Sequence, residues 1–396
     1  MSQELLESRW GETKDALLEG LNGSKRNSMN VILENTRKYL KESATAGSTA
    51  SGNIATLNRV ILPVIRRVMP TVIANELVGV QPMTGPVGQI HTLRVRYADS
   101  SNEVVAGEEA LSPFKIAQAY SGNNDATTPR ASATATLEGQ PGRRMSIQIL
   151  KAPVEAKSRK LSARWTFEAA QDAQAQQGID IEAEIMAALA QEITAEIDQE
   201  ILSSLRSLAT VEETYDQALV SGTATFVGDE HAALAIQVNR VANLIAQRTR
   251  RGAANWAVVS NQALTILQSA TTSAFARTTE GTFEAPTNTK FVGTLNGSLR
   301  VYVDAYLPDS GTQTIQDNQV LIGYKGSSEA DAAAFYCPYI PLMSSGVVLD
   351  PATFEPVVGF LTRYGYVELT NTASSLGNAA DYLGKVSINS TTVSFK

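Results

Sequence analysis

The chain has 396 residues, of which 43% are hydrophobic, so it can bury a sizeable core and would ordinarily divide into two or three compact lobes. Its 40 acidic and 33 basic residues give a net charge of -7, so the protein has no global positive field that would neutralise nucleic-acid phosphates. These numbers exclude a disordered chain and argue against nucleic-acid binding as the main activity. The single cysteine, Cys337, cannot form an intramolecular disulfide or a multi-cysteine zinc site, which fits a reducing cytoplasm.

The N-terminal part of the sequence predicts an arm. Residues 1–43 favour two polar amphipathic helices, separated at Asn22 and Gly23. Their apolar residues are sparse, so we expect the arm to need a partner surface to stay ordered. Residues 43–53 are rich in Ser, Thr, Ala and Gly and indicate a flexible linker. We expect no secretory signal in residues 1–15 and no membrane span, because no uncharged apolar run approaches about 18 residues.

The next part changes from helical to extended patterns. Over residues 54–80, Pro63 and Pro70 favour two short packed helices over one continuous helix. Residues 89–97 alternate as in a strand with neither face wholly apolar, which predicts partial exposure or a subunit contact. Residues 99–152 are rich in small and polar residues and too long for an ordinary loop, so we predict an extended hairpin-like excursion.

The clearest element is a helix over residues 181–208, with Asp180 as its N-cap. It follows a predicted strand at 159–167 that places four residues on one face: Leu161, Ala163, Trp165 and Phe167. The apolar residues of the helix recur every fourth position, at Ile181, Ile185, Leu189, Ile193, Ile197, Ile201 and Leu205. Because an α-helix has 3.6 residues per turn, this stripe winds around the helix, and different neighbours must cover its two ends.

The same helix carries a ladder of like charges, formed by Glu192, Glu196 and Glu200. Like charges four residues apart destabilise a helix mildly unless solvent or basic side chains face them. We interpret the ladder as a solvated face, with an inter-subunit ion-pair strip as the alternative.

The C-terminal half predicts a mixture of helices and strands. Helices are expected at residues 231–247 and from the N-cap Ser260 to residue 267. Strands are expected at residues 256–259, 291–295, 299–305, 347–349, 357–360 and 364–369. Asn296 and Gly297 form the strongest short-range hairpin signal in the chain. The last twenty residues predict a surface strand or tail.

No sequence motif for catalysis or cofactor binding stands out: the phosphate-loop, dinucleotide-binding, nucleophile-elbow and zincin patterns are absent. A two-histidine metal site would need both His91 and His231, so we expect two structural histidines. The basic run of Arg248, Arg250 and Arg251 suits a helix C-terminus better than a phosphate site. We therefore predict no cofactor, no metal ion and no enzymatic activity.

Several strings carry a resemblance to a known family. In chain order they are Gly79-Val80-Gln81-Pro82-Met83, Gly85-Pro86-Val87-Gly88-Gln89, Thr249-Arg250-Arg251-Gly252, Tyr336-Cys337-Pro338-Tyr339-Ile340-Pro341-Leu342, Asp350-Pro351, Phe354-Glu355-Pro356-Val357 and Thr362-Arg363-Tyr364-Gly365. Together, over about residues 55–370, they resemble the major capsid protein of the T-even-like myoviruses. The resemblance implies an α+β fold of the type named after phage HK97.

The parts of that fold can be placed on the chain by the resemblance. They are an N-terminal arm (1–58), a first part of the peripheral domain (59–98), an extended loop (99–152), a second part of the peripheral domain with the spine helix at 181–208 (153–235), an axial domain (236–344) and C-terminal strands that return to the peripheral domain (345–396). The chain is shorter than the T-even relative and leaves little room for that protein's inserted domain near the extended loop.

The resemblance also implies a mechanism, namely self-assembly as hexamers and pentamers into an icosahedral head around double-stranded DNA, without sequence-specific binding. The implied partners are further copies of the chain, a scaffolding protein, a portal, and decoration or vertex proteins. The protein is then expected in the virion after assembly in the host cytoplasm. The family's precursor is trimmed after a glutamate in a hydrophobic-x-Glu context, which Leu40-Lys41-Glu42 matches.

Charged residues are the candidates for inter-subunit contacts: Arg94, Arg96, Glu192, Glu196, Glu200, Arg250, Arg251 and Arg363. Three other interpretations stay open at this point. The first is an encapsulin-type compartment that houses a cargo enzyme, and the second is a phage tail-sheath or tube subunit. The third is a cytoplasmic hydrolase with an unrecognised carboxylate pair on the helix–strand–helix segment 231–267.

Overall fold

The computed structural model describes residues 10, 14–15, 18, 23–46, 72–101, 104–107, 110, 119–122, 131–139, 141–177, 180–217, 227–249, 252–270, 275–277, 290–304, 318–327, 331–353, 355–369 and 379–389. Helices and strands are interspersed along this part of the chain, with six strands in succession from Phe275 to Glu368, which confirms the predicted α+β class. The strands form a two-stranded ribbon, a four-stranded sheet and a seven-stranded sheet.

The N-terminal arm contains helix α1, Gly23–Ala46. It begins at Gly23, whose φ of 60° lies in the left-handed region, and this confirms the predicted break at Asn22 and Gly23. The helix continues to Ala46, so the flexible linker expected from residue 43 is wrong for its first four residues. Residues 47–53 lie outside the described residues.

Helix α1 finds a partner surface within its own chain. It packs against the strand Ala334–Leu349 and buries Met29, Ile32 and Leu33. The side-chain amide of Asn35 donates to the backbone oxygens of Met83, at 2.7 Å, and Tyr339, at 3.1 Å. These contacts hold the arm on the body of the subunit.

The segment after the arm is described from residue 72. It forms the short helix α2, Ala74–Leu77, and strand β1, Gly79–Val80. The other helix predicted in this region falls on residues 54–71, which lie outside the described residues.

The excursion is a long antiparallel ribbon of strands β2, Val87–Tyr97, and β3, Met145–Glu155. Eleven residue pairs join them, from Val87 opposite Glu155 to Tyr97 opposite Met145. A short helix, α3 (Thr134–Leu137), occurs between the two strands in the sequence. The strand at 89–97 and the hairpin-like excursion are thus confirmed, and pairing begins earlier in the chain than residue 99.

The four-stranded sheet has the order β1-β11-β12-β4. Strand β4 is Lys157–Arg164, β11 is Ala334–Leu349 and β12 is Pro356–Glu368. The predicted strands at 357–360 and 364–369 are therefore parts of one strand, which pairs with β11 on one side and β4 on the other. The prediction that Phe167 belongs to the strand of residues 159–167 is wrong, because Phe167 begins helix α4, Phe167–Gln177.

The spine helix, α5, is Ile181–Leu208, as predicted. The Asp180 side chain caps it by accepting from the backbone N–H groups of Glu182, at 3.1 Å, and Ala183, at 3.5 Å. The C-terminal part of the apolar stripe is fully buried and the N-terminal part is only partly covered. In one core the helix packs with residues 72–80, the four-stranded sheet and a face of the seven-stranded sheet that includes Trp256, Val258 and Leu321.

The seven-stranded sheet has the order β5-β13-β10-β6-β9-β8-β7. Its strands are β5 (Val211–Tyr215), β6 (Trp256–Val259), β7 (Phe275–Arg277), β8 (Lys290–Leu295), β9 (Leu299–Val303), β10 (Gln319–Gly323) and β13 (Leu383–Ile388). Helices α6, Val227–Thr249, and α7, Asn261–Ser269, pack with it in a second core. The predicted helix–strand–helix succession, including the Ser260 cap, is confirmed.

The hairpin predicted at Asn296 and Gly297 joins β8 to β9. Both residues have positive φ, 53° and 72°, as the favoured hairpin turns require. The expectation of a surface strand or tail in the last twenty residues is wrong for β13. That strand lies between β5 and β10, and Leu383, Val386 and Ile388 are fully buried.

Candidate assembly surfaces

One face of the ribbon carries exposed apolar side chains. Opposite residues of antiparallel strands share a face, so Met145, Ile147 and Ile149 lie on one face together with Val95 and Tyr97. Met145, Ile147 and Ile149 are 52%, 69% and 60% exposed. We call these three side chains the ribbon stripe. Burying them requires a contact that the isolated chain does not make.

The ribbon is anchored at both ends. Where it leaves the body, Val154 packs in a buried cluster with Met83 and Phe335. At the other end, the rings of Tyr97 and Tyr120 lie 4.5 Å apart. A stiff ribbon can present its stripe in a fixed direction, as an assembly surface needs.

An exposed ion pair also closes the outer end of the ribbon. The backbone N–H of Arg144 donates to the Asp99 carboxylate at 2.8 Å, and its guanidinium does so at 3.1 Å. These hydrogen bonds lower the pKa of Asp99. The Tyr120 hydroxyl donates to the backbone oxygen of Arg144 at 2.6 Å. These polar contacts add to the Tyr97–Tyr120 ring contact in holding the strand ends together.

The glutamate ladder of the spine helix faces a basic side chain of the same chain. Arg159 of β4 donates to Glu196 at 2.7 Å and also to Glu200, and its Nε donates to the Tyr364 hydroxyl at 2.6 Å. The Tyr364 hydroxyl donates to Glu200. Burial disfavours the Glu200 carboxylate, but the hydrogen bonds from Arg159 and Tyr364 outweigh it and lower its pKa. The network ties the strand that follows the ribbon to the spine helix.

A second charged group is buried deep beneath the same helix. Asp304, fully buried, accepts from Gln199 at 2.8 Å and from Arg206 at 2.6 Å. Asp198, also buried, accepts the backbone N–H of Ile73 at 2.9 Å through one oxygen. Among the described residues its other oxygen has no hydrogen-bond partner, and burial raises the pKa of Asp198 to about 7. Asp198 therefore fixes the segment before α2 to the spine helix.

Glu76 of α2 is a junction between the arm and the seven-stranded sheet. Its carboxylate accepts from Lys25 of α1 at 2.7 Å and from Arg300 of β9 at 3.4 Å. It borders a cleft of about 440 Å³ whose polar groups bind each other, for example Lys325 Nζ donating to the Asn75 backbone oxygen at 2.9 Å. This pattern indicates a structural junction.

The predicted contact residues are not gathered in one place. Glu196 and Glu200 share the bond to Arg159, whereas Glu192 is exposed on the spine helix. Arg363 is half-buried, with its guanidinium 5.3 Å from the centre of the Tyr339 ring. Arg96 is half-buried in β2.

The remaining candidates are described only in part or not at all. Arg94 lies in β2 opposite Gln148, and Glu42 lies near the end of α1, but their side chains are outside the described part. Arg250 and Arg251 lie outside the described residues. Whether any of these residues contacts another subunit stays a prediction.

Sequence reasoning missed Arg159, Tyr364 and the buried acids. A signal existed for Asp198, because it lies four residues before Leu202 and seven before Leu205, on the buried side of the helix. No sequence signal pairs Arg159 with Glu200, since they lie on elements that only the tertiary fold brings together.

The side chains that an enzyme could use for catalysis, the cysteine thiol and a histidine imidazole, occupy buried structural positions. Cys337 is buried, and burial raises the pKa of its thiol to about 11. His231 is buried in α6, with its Nδ1 2.6 Å from the Ser269 hydroxyl oxygen. Among the described residues, no group of three or more His, Cys, Asp or Glu side chains could hold a metal ion. No helix in the described ranges is long and apolar enough to cross a membrane.

Comparison with known proteins identifies the family. The family model described as major capsid protein Gp23 matches residues 54–136 and 117–388. The chain belongs to this family. The major capsid protein of Vibrio phage KVP40 is 28% identical over 85% of the chain and 81% of its own length. The major capsid protein of Enterobacteria phage T4 is 29% identical over 83% of the chain and 78% of its own length.

Gp23-family membership establishes the role of the protein. It is a structural major capsid protein of the T4-like type, it assembles with further copies into the phage capsid, and it is found in the virion. The prediction that it is not an enzyme is confirmed, because its relatives carry this structural name. Family membership also decides against the encapsulin, tail and hydrolase interpretations. A solved mature capsid of bacteriophage PhiM1 is similar at TM-score 0.45 and 13% identity, over 79% of this chain and 85% of that one.

Proposed function

We propose that the chain forms hexamers and pentamers of an icosahedral head that encloses double-stranded DNA. The observation that carries this proposal is the ribbon, which exposes an apolar stripe that a lone subunit leaves in water. Eleven paired residues make it about 36 Å long at roughly 3.3 Å per residue, long enough to reach a neighbouring subunit.

The two larger sheets fit the two domains of an HK97-type subunit. The four-stranded sheet with the spine helix corresponds to the peripheral domain, and the seven-stranded sheet with α6 and α7 corresponds to the axial domain. This assignment moves the predicted boundaries. The extended loop becomes residues 87–155, β11 joins the peripheral domain, and β5 and β13 join the axial domain. The division into domains rests on sheet membership.

The further partners proposed are a scaffolding protein, a portal, and decoration or vertex proteins. A net charge of -7 supports a container that repels its DNA and does not bind it by sequence. We expect the closed shell to confine the genome without binding it tightly.

Electron microscopy of the purified full chain, alone and with its scaffolding protein, tests the proposal. Closed shells with six-fold and five-fold capsomers are expected. Helical tubes, or a monomer that persists under every assembly condition, would contradict it.

Proteolytic trimming after Glu42 is a separate part of the proposal. A protease needs an extended substrate, and Glu42 lies in the last residues of α1, where a helix unwinds most readily. Glu34 also lies in a hydrophobic-x-Glu context, but it is in the interior of the helix, and its carboxylate pairs with Lys14 at 2.8 Å. With the phage prohead protease, Glu42→Gln should abolish the mass loss of residues 1–42, and Glu34→Gln should leave it intact. Equal cleavage of both variants would refute this site.

A further inference from the structure

Asp198 is a buried acid of the spine helix that no cation in the described part of the chain neutralises. It is 1% exposed, and its Oδ1 accepts the Ile73 backbone N–H at 2.9 Å, while its Oδ2 has no partner among the described residues. A second buried acid, Asp304, adds a negative charge nearby and binds Arg206 at 2.6 Å. A carboxylate in this setting is disfavoured, because burial removes its hydration and a single N–H replaces little of it.

The other charged and titratable side chains around Asp198 do not offset this penalty. Burial raises the pKa of the Tyr336 hydroxyl on β11, so that group stays neutral. Residues 72–80 carry one charged side chain, Glu76, whose carboxylate is already paired with bases of the arm and of β9. The Asp198 carboxyl therefore either keeps a proton where it lies or must gain contact with water.

The residues that Asp198 holds connect the arm to the ribbon. Residues 72–80 comprise Ile73, helix α2 and strand β1, and the ribbon strand β2 begins at Val87. Strand β1 adds only two residue pairs to the four-stranded sheet, whereas β9 pairs on both sides and β11 pairs with β12 over most of its length. This segment is therefore the most weakly held of the elements around Asp198, and it can move away at the least cost.

We propose that residues 72–80 and Asp198 form a proton-operated latch within the subunit. With a proton on the carboxyl, the latch is closed and the segment lies on the spine helix. When the proton leaves, the segment opens locally and water hydrates the carboxylate. The latch sets how firmly the arm and the ribbon are joined to the spine helix at a given pH. It lies inside one copy, so the inference stands apart from the proposed shell assembly.

The pH range of the latch follows from its two states. Burial raises the pKa of Asp198 to about 7 in the closed state, and the open state returns it to its ordinary value of about 4. The closed state therefore holds the extra proton between these values, and its stability falls as the pH rises through them. Opening becomes roughly tenfold more frequent per pH unit up to about pH 7 and levels off above it.

Hydrogen–deuterium exchange of the unassembled wild-type chain tests the latch. After correction for intrinsic rates, the exchange protection of residues 72–80 should fall roughly 100-fold between about pH 5 and pH 7 and then level off. The same residues should exchange at least about tenfold faster than the buried strand β10, because the latch opens without global unfolding. A flat pH profile, or exchange no faster than that of β10, would overturn the inference.

Two substitutions on the spine helix separate the Asp198 proton from other titrations. Asp198→Asn places an N–H donor where the protonated acid has its O–H, so the latch should stay closed and the profile should be flat. Glu192→Gln removes a charge from an exposed position of the same helix and should keep the wild-type profile. A pH-dependent profile in the Asp198→Asn chain would assign the effect to another group and contradict the latch.

Discussion

At the scale of single residues, the main finding is that the polar groups around the spine helix have tertiary partners. The sequence shows a ladder of glutamates that solvent could satisfy, whereas the structure gives Glu196 and Glu200 a shared arginine from β4. Glu192 keeps the predicted exposed position. The difference arises because a helix pattern specifies a face but not the charge of the element packed against that face.

Glu200→Gln is expected to lower the unfolding free energy by about 1 kcal/mol. It removes the charge from a partly solvated pair with Arg159, and such pairs contribute less than buried ones. Glu192→Gln, which removes a like charge from the same ladder, should change stability by less than about 0.5 kcal/mol. Urea unfolding of the unassembled chain measures both. Equal losses from the two variants would show that Arg159 contributes nothing at Glu200.

Asp198 is expected to make the subunit less stable as the pH rises. Its folded-state pKa of about 7 lies above the unfolded value, so the folded chain holds more protons between pH 4 and pH 7, and stability falls through this window. At about 1.4 kcal/mol per pH unit, the loss is on the order of 4 kcal/mol. Asp304, held by Arg206, and the Tyr336 hydroxyl also interact electrostatically with Asp198.

Asp198→Asn tests that effect. The amide oxygen of the new side chain can still accept a hydrogen bond from the Ile73 N–H. Position 198 then carries no group that titrates. It should melt above the wild type at pH 8 and close to it at pH 4.5. A constant difference between variant and wild type across this range would contradict the assigned titration.

At the scale of elements, the local patterns were reliable where packing agrees with them. The spine helix, helix α6 and the Asn296-Gly297 hairpin follow their sequence signals closely. The errors occur where tertiary contact extends or breaks a pattern. Helix α1, which packs on β11, continues beyond residue 43, where its end was predicted. Phe167, predicted to end a strand, is the first residue of helix α4.

Gly365 is expected to be essential for the junction between β12 and the ribbon. A Cβ there would lie 2.4 Å from a Val154 side-chain carbon and 3.1 Å from the Glu155 backbone oxygen. Gly365→Ala should therefore destabilise by about 1–3 kcal/mol, as overpacking does. In the same strand, the atom nearest to a Cβ added at Gly359 is the Ser345 hydroxyl oxygen, at 3.4 Å, so Gly359→Ala should cost less. Thermal unfolding of both variants compares them, and equal melting temperatures would contradict the close approach.

At the scale of the whole molecule, distant parts of the chain complete each sheet. Strand β13, near the C-terminus, enters the seven-stranded sheet between β5 and β10, and β1 pairs with β11 across most of the sequence. Folding of either sheet therefore depends on residues from several predicted domains. The six-part division of the chain stays a prediction, and sheet membership is the basis of our revised proposal.

Ile388→Ala is expected to destabilise the whole subunit by about 2–5 kcal/mol, because Ile388 is fully buried in β13. Ile236→Ala, at a position 68% exposed, should have little effect. Chemical unfolding followed by circular dichroism would show the difference. A small loss at Ile388 would mean that β13 adds little to the core.

The sequence by itself determined the α+β class, the spine helix with its cap, the helix–strand–helix segment and the hairpins. Its short family motifs also indicated the capsid family. These features depend on local periodicity, turn chemistry and residue identity, which are present in the chain before it folds. Only the tertiary structure decided that β13 is an interior strand, that Arg159 pairs with Glu196 and Glu200 and that Asp198 is buried beside Ile73. Such facts depend on which surfaces meet across long sequence separations, and a single sequence does not encode those pairings in any local pattern.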